Sequence, residues 1–257
     1  MLQLDTTWVL TTLLMGGLLA FCGALQAMIG FAAAMFGIPL LMLCGFEMPE
    51  AQVIVITAML PQNILAVWQL RAEISWREWL IPALVRISFL PLGVITLAWM
   101  QEESKPMLRQ IVGVVMLAAT LAQCVSRRSP ADESATGWML GTFSLSGFLQ
   151  GLCGMSGAPM VLWCYAKPWS ANKVRAFLFT VYITSFLPQW LMLAGKFGMV
   201  IPAAGLRTIV ALPLVLLGTF AGLKLAKHVP DKWARQISYA VLILLASIEL
   251  LHPLIST

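Results

Sequence analysis

Eight stretches almost free of charge tile this chain, and they leave it few ways to fold. No Asp, Glu, Lys or Arg occurs between Asp5 and Glu47, Glu50 and Arg71, Arg109 and Arg127, Glu133 and Lys167, Arg175 and Lys196, Arg207 and Lys224, or Arg235 and Glu249. The stretch from Glu78 to Glu102 holds Arg86 alone. A helix rises about 1.5 Å per residue, so about 20 apolar residues cross a hydrocarbon core of about 30 Å. Leu, Ile, Val and Met fill the stretches without the strict alternation of barrel strands, and backbone amides in lipid must be bonded within their own segment. The expectation is an all-α polytopic membrane protein. Only 11% of the residues are charged, where soluble domains carry about a quarter. Asp5 is the one early charge, so the apolar N-terminus lacks the basic start of a cleavable signal and reads as mature protein.

Sequence symmetry divides the chain. Gly23-Ala-Leu-Gln-Ala-Met-Ile-Gly30 recurs as Gly147-Phe-Leu-Gln-Gly-Leu-Cys-Gly154, Ile56-Thr-Ala-Met-Leu-Pro-Gln62 as Ile183-Thr-Ser-Phe-Leu-Pro-Gln189, and Arg109-Gln110-Ile111 as Arg235-Gln236-Ile237. Six of the eleven glutamines fall into these pairs, which apolar composition alone does not produce. The expected organisation is a first membrane repeat at 1–125, a polar cytoplasmic linker at 126–136 and a second membrane repeat at 137–257. Such internal repeats are typical of secondary transporters.

The first stretch of each repeat is too long for one plain span and is interrupted by glycine and proline: Gly30, Gly37 and Pro39 in one, Gly151, Gly154, Gly157 and Pro159 in the other. These residues break the helical hydrogen-bond ladder, and lipid-depth breaks persist where protein or a cavity satisfies the freed groups. A broken or re-entrant helical hairpin followed by three spans is expected in each half. Positive charge gathers at Arg71 and Arg77, Arg127 and Arg128, Lys167 to Arg175, and Lys224 to Arg235. All four clusters become cytoplasmic if the first stretch of each repeat doubles back, which places both termini outside and makes the repeats inverted.

At Gly23 to Leu41 and Gly147 to Leu162, in the segments ending in Pro39-Leu40-Leu41 and in Gly154-Met-Ser-Gly-Ala-Pro159, the chain resembles the sulfite exporter TauE/SafE family of membrane permeases. That resemblance implies a multi-pass protein of the bacterial inner (plasma) membrane that moves small sulfur-containing anions such as sulfite or organosulfonates.

A helix N-terminus at a break exposes free N–H groups and a positive dipole end, which suit an anion. Gly154, Ser156 and Gly157 form one such candidate cradle, with Gly30 its counterpart. Gln26, Gln62, Gln150 and Gln189 are candidate donors to oxyanion oxygens, with Thr57 and Thr184 weaker ones; interhelical glue is the competing role for the glutamines. Glycine packing is the competing role for the break. Arg86 lies eight residues beyond Glu78, where its stem can reach the interface; the alternative is a vestibule that attracts anions. No Asp or Glu lies mid-stretch, and Glu249 is placed near a membrane boundary, so a proton relay through a buried carboxylate is not expected.

The five cysteines read as buried thiols without metal spacing. No cofactor, metal or nucleic-acid partner is expected; net charge +5 is ascribed to cytoplasmic loops. Lipid and a small anion are the expected partners, with homo-oligomer formation open. An intramembrane enzyme lacks a buried base beside Ser156 or Cys153. A non-transporting assembly or interaction protein is the other alternative to a transporter.

Overall fold

The computed structural model describes residues 6–29, 33–125, 136–225 and 240–251, and the described residues form helices and turns with no strand. In chain order these are α1 (Thr6–Ile29), α2 (Ala33–Leu43), α3 (Met48–Gln69), a single 3-10 turn at Arg71–Glu73, α4 (Trp76–Glu103), α5 (Lys105–Val125), α6 (Thr136–Cys153), α7 (Gly157–Tyr165), α8 (Ala171–Phe197), α9 (Val200–Leu225) and α10 (Ala240–Leu251). Five of them, α1, α3, α4, α8 and α9, are long and apolar enough to cross a membrane. The expected linker falls almost wholly outside the described residues.

The surface explains where such helices are stable. Leu10, Leu13 and Leu14 on α1, Ile81, Leu84, Leu92 and Ile95 on α4, and Leu206, Ile209 and Val210 on α9 face outward, while Gln26, Gln52, Gln150, Gln189 and Arg86 are buried. Water would penalise that arrangement twice, by wetting an apolar belt and by drying polar groups. Lipid reverses the first term. The protein is a membrane protein.

α2 has 11 residues and α7 has 9, lengths of about 16 and 14 Å at 1.5 Å per residue, half a hydrocarbon core. Both are therefore half-helices. Gly154 makes the second break: at φ +70° it occupies left-handed space, and a Cβ there would lie 2.5 Å from Ile38 Cδ1 and 3.0 Å from Gln52 Cγ. The first break, around Gly30, lies outside the described residues.

Contacts at the helix ends show which termini share a face. The guanidinium of Arg207, in the second turn of α9, lies 5.6 Å from the ring centroids of both Trp8, at the start of α1, and Phe46, just after α2. Arg207 thus brings the start of α1 and the residue after α2 to one place. Lys173 Nζ pairs with Glu78 Oε1 at 2.8 Å, joining the first turns of α8 and α4. Lys173 also lies 5.0 Å from the Trp169 ring, in the turn after α7.

Two helix pairs pack backbone to backbone. α4 lies against α6, where a Cβ added at Gly147 would overlap the Arg86 carbonyl and one at Gly151 the Leu90 carbonyl. α1 lies against α9, where Gly218 and Gly222 meet Ala20 and Ala24 in the same way. Small residues at such crossings let helices approach until dispersion contacts replace the missing side chains. Between these pairs α3 packs on α8 and α9, and α8 also on α4. The core cluster built on Phe36, Ile38, Ile54, Leu90 and Leu152 fills the centre.

Cys22, Cys153 and Cys164 are buried, as expected, but Cys44 is exposed, because it stands in the turn that follows α2. Cys124 is not among the side chains described.

Candidate functional site

The close crossing of α4 and α6 sends one side chain where its sequence position does not. Arg86 is fully buried, 0% exposed. Its stem does not run to the interface; with the Arg86 carbonyl standing over Gly147, the side chain projects inward between α6, α7 and α8. Nη1 donates to the Val181 carbonyl at 3.1 Å and to Ser185 Oγ. Nη2 donates to Gln150 Oε1 at 2.9 Å and Ser156 Oγ at 2.7 Å. The Tyr182 ring lies 5.7 Å from the guanidinium carbon, and Nε has no hydrogen-bond partner.

A chain of amides continues from there. Gln150 Nε2 donates to Gln189 Oε1; Gln189 Nε2 donates to Gln52 Oε1 at 3.0 Å and to the Gln150 carbonyl at 3.2 Å. Gln52 Nε2 closes the chain on the Leu152 carbonyl at 3.1 Å, one of the carbonyls that the break after α6 leaves without a helical partner. Ser146 Oγ donates to the Ser156 carbonyl at 3.1 Å and holds the start of α7 against α6.

This network forms one wall of a cavity of about 70 Å³. Its polar lining comprises Arg86, Gln150, Gln189, Ser156, Gly154 and Gly157, together with Gln26 and Asn63, themselves joined by Gln26 Nε2 donating to Asn63 Oδ1 at 3.0 Å. Met35, Val55, Met59 and Phe186 supply apolar walls. The volume exceeds that of one water several times over and suits an anion of a few heavy atoms. Among the described residues no carboxylate lines the cavity, so the guanidinium brings a positive charge with no counter-charge beside it.

Of the residues singled out from sequence, Gln26, Gln150, Gly154, Ser156, Gly157 and Gln189 line this one cavity. Gln62 does not: its Oε1 accepts from Thr219 Oγ1 of α9 at 3.2 Å. Thr184 Oγ1 donates to the Val181 carbonyl of its own helix at 2.9 Å, and Thr57 Oγ1 is buried without a partner, away from the cavity. Gly30 lies outside the described residues. Sequence reasoning did not single out Asn63, Ser185, Tyr182 or Gln52. Gln52 offered no symmetry signal, since the offset of 127 that links Gln62 to Gln189 takes it to Phe179. A second departure concerns Glu249, which is 0% exposed although it stands near the end of α10. It lies on the stripe with Leu242, Leu245 and Ala246 that α10 turns inward, so proximity to a helix end does not bring it to water.

Comparison with known proteins is consistent with these features. The chain is 24% identical over 184 residues, 72% of its length and 71% of the relative's, to a protein of Cupriavidus necator described as a probable sulfite/organosulfonate exporter TauE. No solved structure gives a significant match. The family profile "Sulfite exporter TauE/SafE" matches residues 14–248, nearly the whole membrane-embedded chain, and the protein belongs to that family.

Proposed function

We propose that this protein transports small sulfur oxyanions, sulfite or organosulfonates, across the bacterial inner membrane, with the cavity beside Arg86 as its substrate site. The observation that carries this reading is a buried guanidinium whose cavity is lined, among the described residues, by no carboxylate. A permanently charged group in a low-dielectric interior favours an opposite charge beside it, and Arg86 lines a small cavity where an anion fits. Sulfite has four heavy atoms and fits the cavity volume of about 70 Å³. An organosulfonate places the same head on Arg86 and its carbon tail along Met35, Met59 and Phe186. Export is the direction carried by the name of the Cupriavidus relative.

The same reading takes the two halves, 1–125 and 137–257, as inverted repeats. Exchanging α1 for α6, α3 for α8 and α4 for α9 turns the α1–α9 crossing into α6–α4, and the α4–α8 contact into α9–α3, all of which exist. The half-helices α2 and α7, and the shared face of Trp8 and Phe46, support hairpins that return to their own side. Half-helix N-termini meeting at a central site are a recurrent device for binding anions.

Isothermal titration of the purified protein with sulfite, sulfate, methanesulfonate and acetate tests the substrate class. Saturable binding of sulfite or the sulfonate, lost in Arg86→Gln, supports it; binding that is unchanged in Arg86→Gln refutes the assignment of the site. A protein that binds none of the four and carries none across liposomes is better described as an assembly partner.

A further inference from the structure

A second buried polar group lies well away from the cavity. Glu249 is 0% exposed, and among the described residues neither carboxylate oxygen has a hydrogen-bond partner. α10 is pressed onto α5 here: a Cβ at Gly113 would lie 2.9 Å from the Ala246 carbonyl. One turn before Gly113 stands Arg109, whose positive charge acts on Glu249. Neither α2 nor the described part of α10 brings another. The two do not hydrogen-bond. Arg109 Nη2 donates to the Met42 carbonyl at 3.2 Å, and its buried Nη1 has no partner.

An idle guanidinium nitrogen and an idle carboxyl, both buried on two helices packed together at Gly113, have a simple physical reading. A carboxylate with no donor in an apolar interior is costly by several kcal/mol, whereas the neutral acid leaves a much smaller debt of unmade bonds. With Glu249 neutral, Arg109 is free to hold the last turn of α2 through Met42. With Glu249 ionised, the guanidinium finds a better acceptor in the carboxylate, which adds the attraction of an opposite charge to the hydrogen bond that a neutral carbonyl accepts. The Met42 carbonyl then keeps only the Gly45 N–H, at 3.1 Å, and α2 loses its tie to α5. α2 connects this choice to the cavity: Met42 lies in its last turn, and Ala34 and Met35, in its first, line the cavity.

We propose that Glu249 is a proton-binding site whose occupancy is communicated to the substrate cavity by Arg109 and α2. A proton from the adjacent aqueous face adds to one Glu249 oxygen and leaves from it again to water. Arg109 exchanges Met42 for Glu249 as it goes. Buried ionisable residues in membrane helices characteristically mark ion pathways and relays. The coupling rests on the transport reading above, but the proton site does not.

Infrared spectra of the purified protein without substrate test the site itself. At neutral pH the wild type is expected to show a protonated-carboxyl band that Glu249→Gln lacks; superimposable spectra overturn the proposal. If the amide variant does not fold, Glu249→Asp assigns the band by shifting it. Proteoliposomes then test the coupling with methanesulfonate, whose charge does not change with pH. Glu249→Gln and Arg109→Gln are expected to retain exchange at equal concentrations and to lose accumulation driven by a pH gradient. Wild-type accumulation in both variants overturns the coupling. Failure of every form, wild type included, to move methanesulfonate or sulfite refutes the transport reading and the coupling with it, and leaves the proton site to be decided by the spectra.

Discussion

Replacing Arg86 by glutamine separates a binding cation from a structural one, because the two roles give opposite stability signatures. The wild-type guanidinium makes four hydrogen bonds, to Val181, Ser185, Gln150 and Ser156. Each bond from the charged guanidinium contributes about 1.5 to 3 kcal/mol, and against their sum stands a desolvation cost of the same order for a buried charge without a counter-ion. The two nearly cancel. Arg86→Gln is therefore expected to change the unfolding free energy of the ligand-free protein by less than about 2 kcal/mol, in either direction. Binding behaves differently. A lost hydrogen bond to a charged ligand costs about 1.5 to 3 kcal/mol, or about 10- to 150-fold in Kd. At sulfite 100 times the wild-type Kd, ligand stabilisation is about 2.7 kcal/mol; a 100-fold weaker variant retains about 0.4 kcal/mol. Thermal unfolding in detergent with and without sulfite, alongside titration calorimetry, reads both quantities. A ligand-free loss above about 3 kcal/mol, the cost of breaking a buried ion pair, together with unchanged Kd, would refute the reasoning and make Arg86 a structural group.

Further tests follow the same geometry. Gln150→Ala and Gln189→Ala are expected to weaken sulfite binding about 10-fold or more, while Gln62→Ala, whose partner is Thr219 on α9, leaves Kd unchanged and costs about 1 kcal/mol of stability. Gly147→Val forces the α4 and α6 backbones apart at the Arg86 carbonyl and is expected to cost about 1 to 3 kcal/mol by overpacking, read as a lower melting temperature, with binding weakened because Arg86 is displaced. Periplasm-active reporter fusions at residue 48 and at the C-terminus are expected to be active and fusions after Arg128 and Lys173 silent; activity at Lys173 contradicts the inverted arrangement. Glu78→Gln removes a partly exposed pair with Lys173 and is expected to change stability by less than about 1 kcal/mol.

Much of this molecule is a local property of its sequence. Uninterrupted apolar stretches of helical length specify membrane helices wherever they lie, because hydropathy and backbone satisfaction act within each segment. The glycines around residue 154 likewise mark a break on their own, and three glutamines singled out by their sequence offsets, Gln26, Gln150 and Gln189, do reach one cavity. What the sequence could not decide is which way a polar side chain turns once neighbouring helices are in place. Arg86 and Glu249 both stand at distances from a stretch end that permit a route to water, and both are buried. The reason is the distance between backbones: where Gly147 offers no Cβ to α4 and Gly113 none to α10, the helices close until the long side chains beside them have only the interior to enter. Thr184 and Gln62 are diverted for the complementary reason. A partner on their own helix or on α9 lies nearer than the cavity does, and a buried polar group takes the acceptor or donor that tertiary packing puts within reach.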